Sequence, residues 1–246
     1  MESSNPTLNN EIFAKARATV GSGQTMTIQG TVNKTFILFG VLLLAASWAW
    51  LNVANSQILW FAIKVLPWIG FGMAFATTFK PKWSPITAPI YAAIQGVCLG
   101  AISALLETRY PGIAIQAVGL TMACLFVMLV SYQTGWIQAT EGFRKGIMIA
   151  TAAIFLFYLV VGIAGFFHVA PPGFITGGGI IGIGFSLFVV GIATLNLILN
   201  FDTIERCSQE GLEKYMEWYG AFSVMVTLVW LYMEILNLLA KLRGRN

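Results

Sequence analysis

The chain has 246 residues, of which 57% are hydrophobic and only 10% charged, with a net charge of +4 and a mean hydropathy of +0.77. A soluble domain carries about 25% charged residues, so the polar surface of an ordinary soluble enzyme is missing, and intrinsic disorder requires the opposite composition. With 25 glycines and 3 cysteines the chain is neither collagen-like nor a disulfide scaffold, which leaves an all-α polytopic membrane protein.

Residues 1–33 are polar, with Pro6, Asn9-Asn10 and Gly21-Ser22-Gly23, and read as a cytoplasmic tail. Asn10-Glu11 opens a possible short amphipathic helix through Ala18. No apolar core precedes the first span, so no signal peptide is expected. Asn33-Lys34-Thr35 matches a glycosylation pattern but falls at the cytoplasmic membrane edge and is discounted.

The gaps between charges then set the spans. Lys34 to Lys64 leaves 29 uncharged residues, Lys82 to Glu107 leaves 24, Arg109 to Glu141 leaves 31, and Lys145 to Asp202 leaves 56. One span needs about 20 apolar residues. The longest gap therefore holds two, split by the turn His168-Val169-Ala170-Pro171-Pro172-Gly173. The first gap holds one span ending near Asn52-Val53-Ala54-Asn55, and a second starts near Ser56 with Lys64 inside it. Seven spans are expected at roughly 35–53, 57–79, 86–106, 112–136, 146–167, 175–203 and 221–241. The domain organisation is a tail over 1–33, a seven-helix transmembrane domain over 34–241 and a short tail over 242–246. The ten-residue alternation of a membrane barrel is absent.

Orientation follows the Lys/Arg bias. Lys15, Arg17 and Lys34, then Lys80 and Lys82, then Arg144 and Lys145, then Arg206 and Lys214 share one side. The other loops carry Arg109 and His168. This puts the N-terminus in the cytoplasm. The tail disagrees, because seven spans place Lys241, Arg243 and Arg245 outside; a last helix that only dips into the membrane would also fit. The compact chain and short loops favour a bacterial plasma membrane.

Several motifs resemble chemistry and are read as packing. Gly177-Gly178-Gly179-Ile180-Ile181-Gly182 satisfies G-x-G-x-x-G but opens an apolar span rather than following a strand. Gly178 and Gly182, like Gly96 and Gly100, have the small-xxx-small spacing that lets helices approach closely. Cys98, Cys124 and Cys207 lack metal-ligand spacing, and His168 is the only histidine. No base is evident near Ser103, Ser131 or Ser186. No catalytic residue is therefore assigned, and no enzymatic activity, cofactor or nucleic-acid partner is expected.

Ionisable groups within a bilayer are costly and mark function by default. Three acids stand in such positions: Glu107, Asp202 and Glu234. Asp202 is the single aspartate, at the cytoplasmic end of the sixth span. Glu234 is the most deeply embedded in apolar sequence. Glu107, beside Arg109, reads as an interfacial residue and a secondary candidate. Two carboxylates brought together would share a proton and titrate as a pair, and would offer oxygens to a hard cation such as Ca²⁺.

Leu199-Asn200-Phe201-Asp202-Thr203 resembles the L-Y-D-T motif of the Bax inhibitor family, and Leu231-Tyr232-Met233-Glu234-Ile235-Leu236-Asn237-Leu238-Leu239 resembles that family's last helix. Gly96-Val97-Cys98-Leu99-Gly100 followed by Glu107 looks like its third helix. The resemblance implies seven helices with the last one central. It implies a pH-sensitive calcium leak gated by an acid pair on the last two helices, here Asp202 and Glu234, with Lys80 of Phe79-Lys80-Pro81-Lys82 at the position of a pairing arginine. Asp202 and Glu234 would then also line the calcium path, calcium being the permeant ion and the bilayer the surroundings. The alternative is a regulator of a membrane protease or of membrane-protein quality control, acting through residues 1–33. This chain has Glu for the second Asp, Lys for Arg, and an acid spacing of 32 residues. Contact between the acids requires the seventh helix to begin in the cytoplasm, around Glu213 to Gly220, with Tyr215, Trp218 and Tyr219 at the interface.

Overall fold

The computed structural model describes residues 25–167, 172–173 and 179–244. The expected tail residues 1–24, the turn at His168 and Gly177-Gly178 lie outside the described residues. The first helix, α1 (Ile28–Leu51), starts at Thr27, whose side chain accepts from the Gly30 N–H. It therefore begins before Lys34, the charge that marked the membrane edge in the sequence. The second span is two helices, α2 (Ser56–Lys64) and α3 (Leu66–Phe79). Asn55 caps α2. Pro67 lies in the first turn of α3, where it has no N–H to continue α2, and Lys64 is exposed at the break.

A 3₁₀ turn, Pro81–Trp83, leads into α4 (Ser84–Arg109). Gly112, at φ 81°, turns the chain into α5 (Ile113–Gln133). Only glycine adopts that left-handed conformation without a steric cost. Thr140 caps α6 (Glu141–Phe166), accepting from the Phe143 N–H. The last two helices are α7 (Ile180–Gln209) and α8 (Met216–Arg243). Among the described residues seven helical segments are long and apolar enough to cross a membrane, with α2 and α3 together forming one. The chain is an all-α polytopic membrane protein. The start of α1, the 3₁₀ turn and the α5–α6 and α7–α8 connections share one face, called here the amino-terminal face.

α8 packs against α1, α4, α5 and α7 and is the most buried span, at 56% of its apolar window against 11% for α6 and for the α2–α3 span. One side of α8 buries Leu231 and Leu236 with Ile113 of α5 and Leu197 of α7. The other buries Met225 and Phe222 with Leu38 of α1 and Tyr91 of α4. The expected central last helix is thus the shared wall of two apolar cores.

α1 and α4 approach backbone to backbone. A Cβ at Gly96 would lie 2.3 Å from the Leu42 carbonyl oxygen, and one at Gly100 2.2 Å from that of Ala46. Gly100→Ala is expected to cost about 1–3 kcal/mol of stability by overpacking. Gly119→Ala, with open space around it, should change stability by less than about 1 kcal/mol. Thermal unfolding of the purified variants in detergent distinguishes the two.

Candidate functional site

Asp202 lies two turns before the end of α7. Its carboxylate accepts from both sides of one ion pair: Arg144 of α6 reaches Oδ1 and Oδ2 at 2.8 Å. Arg206, one turn further along α7, stands 3.4 Å away. The Arg144 Nε is buried without a hydrogen-bond partner.

Below this pair, α7 is stitched to both neighbours. Asn200 donates to Thr227 Oγ1 of α8 at 2.7 Å, and Asn196 donates to Thr151 Oγ1 of α6 at 2.8 Å. Lys241 of α8 donates to Ser186 Oγ of α7 at 2.8 Å and to the Gly182 carbonyl at 3.2 Å. Glu234 is 5% exposed. Its neighbours are Tyr158 of α6, Trp230 one turn earlier on α8, and the Lys241 ammonium two turns later. Arg144, Thr151 and Tyr158 fall every seventh residue on α6, and Thr227, Glu234 and Lys241 every seventh on α8. Seven residues are two helical turns, so each set forms a stripe, and the two stripes flank α7.

The acids expected to meet are held apart. α8 does begin in the required range, at Met216. But Asn200 is level with Thr227, and Ser186 with Lys241. That register sets Glu234 opposite Ala193, about 14 Å along α7 from Asp202 at 1.5 Å per residue. Asp202 and Glu234 therefore do not form a proton-sharing pair or a common calcium ligand set in this arrangement. Their separation follows from the length of α7, which continues to Gln209 and places Asp202 close to the amino-terminal face.

Lys80 joins neither acid. It ends α3, and its ammonium sits 4.3 Å from the Trp83 ring centroid. Arg144 takes the role expected of it. The sequence offered a signal in the seven-residue stripe, but Arg144 had been counted only as a loop charge. Glu107 accepts from the Gly112 and Ala114 N–H groups. It thereby caps the start of α5 and closes the α4–α5 turn.

Of the basic tail, Lys241 and Arg243 are described, and Arg245 lies outside the described residues. Lys241 is committed to α7, and Arg243 donates to the Pro111 carbonyl at 2.7 Å and to Gln116 at 2.9 Å. α8 therefore ends on the α4–α5 turn, opposite the amino-terminal face, with Lys241 and Arg243 held by contacts within the bundle. Lys241 also supplies the amine beside Ser186 that sequence spacing did not reveal, though Ser186 is only 2% exposed.

A second acid site was missed altogether. Glu217, 1% exposed, forms an ion pair with Lys34 of α1. Its other oxygen accepts from the Thr27 N–H at 3.0 Å and the Thr27 hydroxyl at 2.9 Å. The Met26 N–H donates to the Leu212 carbonyl at 2.7 Å. Together these fasten the first span to the last at the amino-terminal face. Gly30 makes room: a Cβ there would fall 2.1 Å from a Glu217 oxygen.

A family model described as Bax inhibitor 1 like matches residues 5–244. The chain belongs to that family. Comparison with curated proteins and with solved structures gave no match.

Breaking a buried ion pair leaves one charge uncompensated and costs about 3 kcal/mol or more. Lys34→Met should therefore lower the thermal stability of the purified protein by about that amount. The double variant Lys34→Met with Glu217→Met should recover most of it, because no orphaned charge remains.

Proposed function

We propose that this protein is a calcium-permeable cation leak of the cell membrane, controlled by two separate carboxylate stations rather than one pair. The observation that carries the reading is Glu234: a carboxylate 5% exposed on the central helix, outside the four ion pairs among the described residues. An acid so placed is a functional site by default. Tyr158 and Trp230 orient it, and protonation turns it from an acceptor into a donor toward Tyr158. Asp202 forms the second station: its carboxylate holds Arg144 and so ties α6 to α7 at the amino-terminal face. The resemblance to the Bax inhibitor family supports calcium as the permeant ion.

Exposed Lys80, Lys82, Lys145 and Lys214 gather on the amino-terminal face, and this supports its assignment to the cytoplasm. The alternative role, regulation of a membrane protease, places its contact surface in the tail, and residues 1–24 of that tail lie outside the described residues.

Influx into dye-loaded liposomes across acidic to alkaline pH tests the reading. Wild type should show pH-dependent calcium flux. Glu234→Gln should change the flux about tenfold, the factor that ~1.4 kcal/mol gives, and flatten its pH profile. Asp202→Asn should shift the profile without flattening it. Absence of flux from folded protein in all three would refute the leak.

A further inference from the structure

A cleft of 1070 Å³ opens between α1 and α5, with α7 at its back. It lies at the upper end of the size range of ligand pockets, which are mainly apolar with a few placed polar groups. Its inner walls are apolar, formed by Phe36, Phe39 and Leu43 of α1 and Met122, Leu125 and Leu129 of α5. From Met122 to Tyr132 the wall extends about 15 Å at 1.5 Å per residue. Polar groups gather at one end, the amino-terminal face: Tyr132, Gln133, Gln138, Asp202 and Glu205.

The charged residues lining the cleft are both acids, Asp202 and Glu205. Asp202 is neutralised by Arg144 and Arg206. Glu205 is not: its oxygens accept from the Tyr132 hydroxyl and from the Gln209 amide, both neutral, and among the described residues no cation pairs with it. A carboxylate has room for further donors after two bonds. Beside it, the Tyr132 and Phe201 rings, both lining the cleft, lie 5.9 Å apart. An unpaired carboxylate flanked by aromatic rings is what an ammonium group requires, since charge pairing and the ring quadrupole both favour it. A phosphate head would meet two acids and no lining cation, so an ordinary phospholipid head is disfavoured.

We propose that this cleft binds a membrane-partitioned amphiphile with a primary ammonium head and a single hydrocarbon tail, the head on Glu205 between Tyr132 and Phe201, the tail between α1 and α5. This site meets the leak reading only at Asp202, which lines the cleft; its binding group is Glu205, whereas the leak reading rests on Glu234. The occupant reaches the cleft sideways from the bilayer, because α1 and α5 bound its open side.

The test is photo-crosslinking of the full chain in lipid nanodiscs. The probe is a long-chain primary amine with a diazirine near the end of its tail. The same chain ending in an alcohol and in a carboxylate serve as comparisons, and labelled peptides are read by mass spectrometry. Amine label should be saturable and concentrate on the α1 and α5 segments lining the cleft. Glu205→Gln should weaken amine competition about tenfold, as loss of a charge-assisted contact implies, and leave the alcohol unaffected. Leu125→Trp, which fills the cleft but keeps the acid, should reduce labelling by both. If Glu205→Gln does not fold, Leu125→Trp and the head-group series still decide the matter. Equal labelling by all three probes, or label spread to lipid-facing Phe126 and Leu187, would overturn the proposal. So would amine label that appears only after removal of residues 1–24, which would make the chain's own tail the occupant.

Discussion

Hydrocarbon cannot hydrogen-bond, so polar side chains inside this bundle have to find partners within the protein, and among the described residues Arg144 Nε is the buried side-chain atom left without one. That constraint explains the seam formed by α6, α7 and α8. Asn196 and Asn200 sit on one helix and bond in opposite directions, to Thr151 and to Thr227. Lys241 finds a serine hydroxyl and a carbonyl. Individually such contacts contribute little, about 0.6 kcal/mol each in membrane proteins. Collectively they fix register, because sliding α8 by one turn would strand several polar groups at once. The position of every acid follows from that register.

The same seam divides the labour of the carboxylates. Asp202 lies where an arginine can reach it from the neighbouring helix. Glu234 lies where the nearest groups are a phenol, an indole and one lysine that is already engaged. Glu217 is buried as deeply as either but is surrounded by a cation and two Thr27 donors, which makes it a fastener. Glu107 is spent on backbone amides. Four acids of similar chemistry thus have four uses, decided by what stands within hydrogen-bond reach.

The number of spans was legible because charge is nearly excluded from hydrocarbon, and the uncharged gaps measure out one bilayer after another. Their boundaries were not, for the same reason read too strictly. Lys34 looked like a membrane edge and Glu217 fell before the expected last span, yet each neutralises the other, so α1 and α8 both begin earlier than expected. The acidic motifs on α7 and α8 were legible as family motifs, but not the partners of their acids. Arg144 lies 58 residues from Asp202, and only the three-dimensional register brings it there in place of Lys80. The break at Pro67 splits a span that charge spacing alone treats as continuous. The glycines of α4 announced close packing from their spacing, and their neighbour, the backbone of α1, emerged only with the fold.

The clasp between Lys34 and Glu217 joins residues 183 positions apart. A ribosome adding about 5–20 residues per second needs about 10–40 s to make the second after the first. Throughout that interval α1 has left the ribosome while the helix that neutralises its lysine does not yet exist. The first span can pack on α4 in the meantime, but its lysine stays without its acid partner until α8 arrives. Final docking of α1 becomes a post-translational event, triggered by arrival of the last helix. Chains truncated before α8 lack that signal, and they present the quality-control apparatus with a first helix whose lysine has no acid partner.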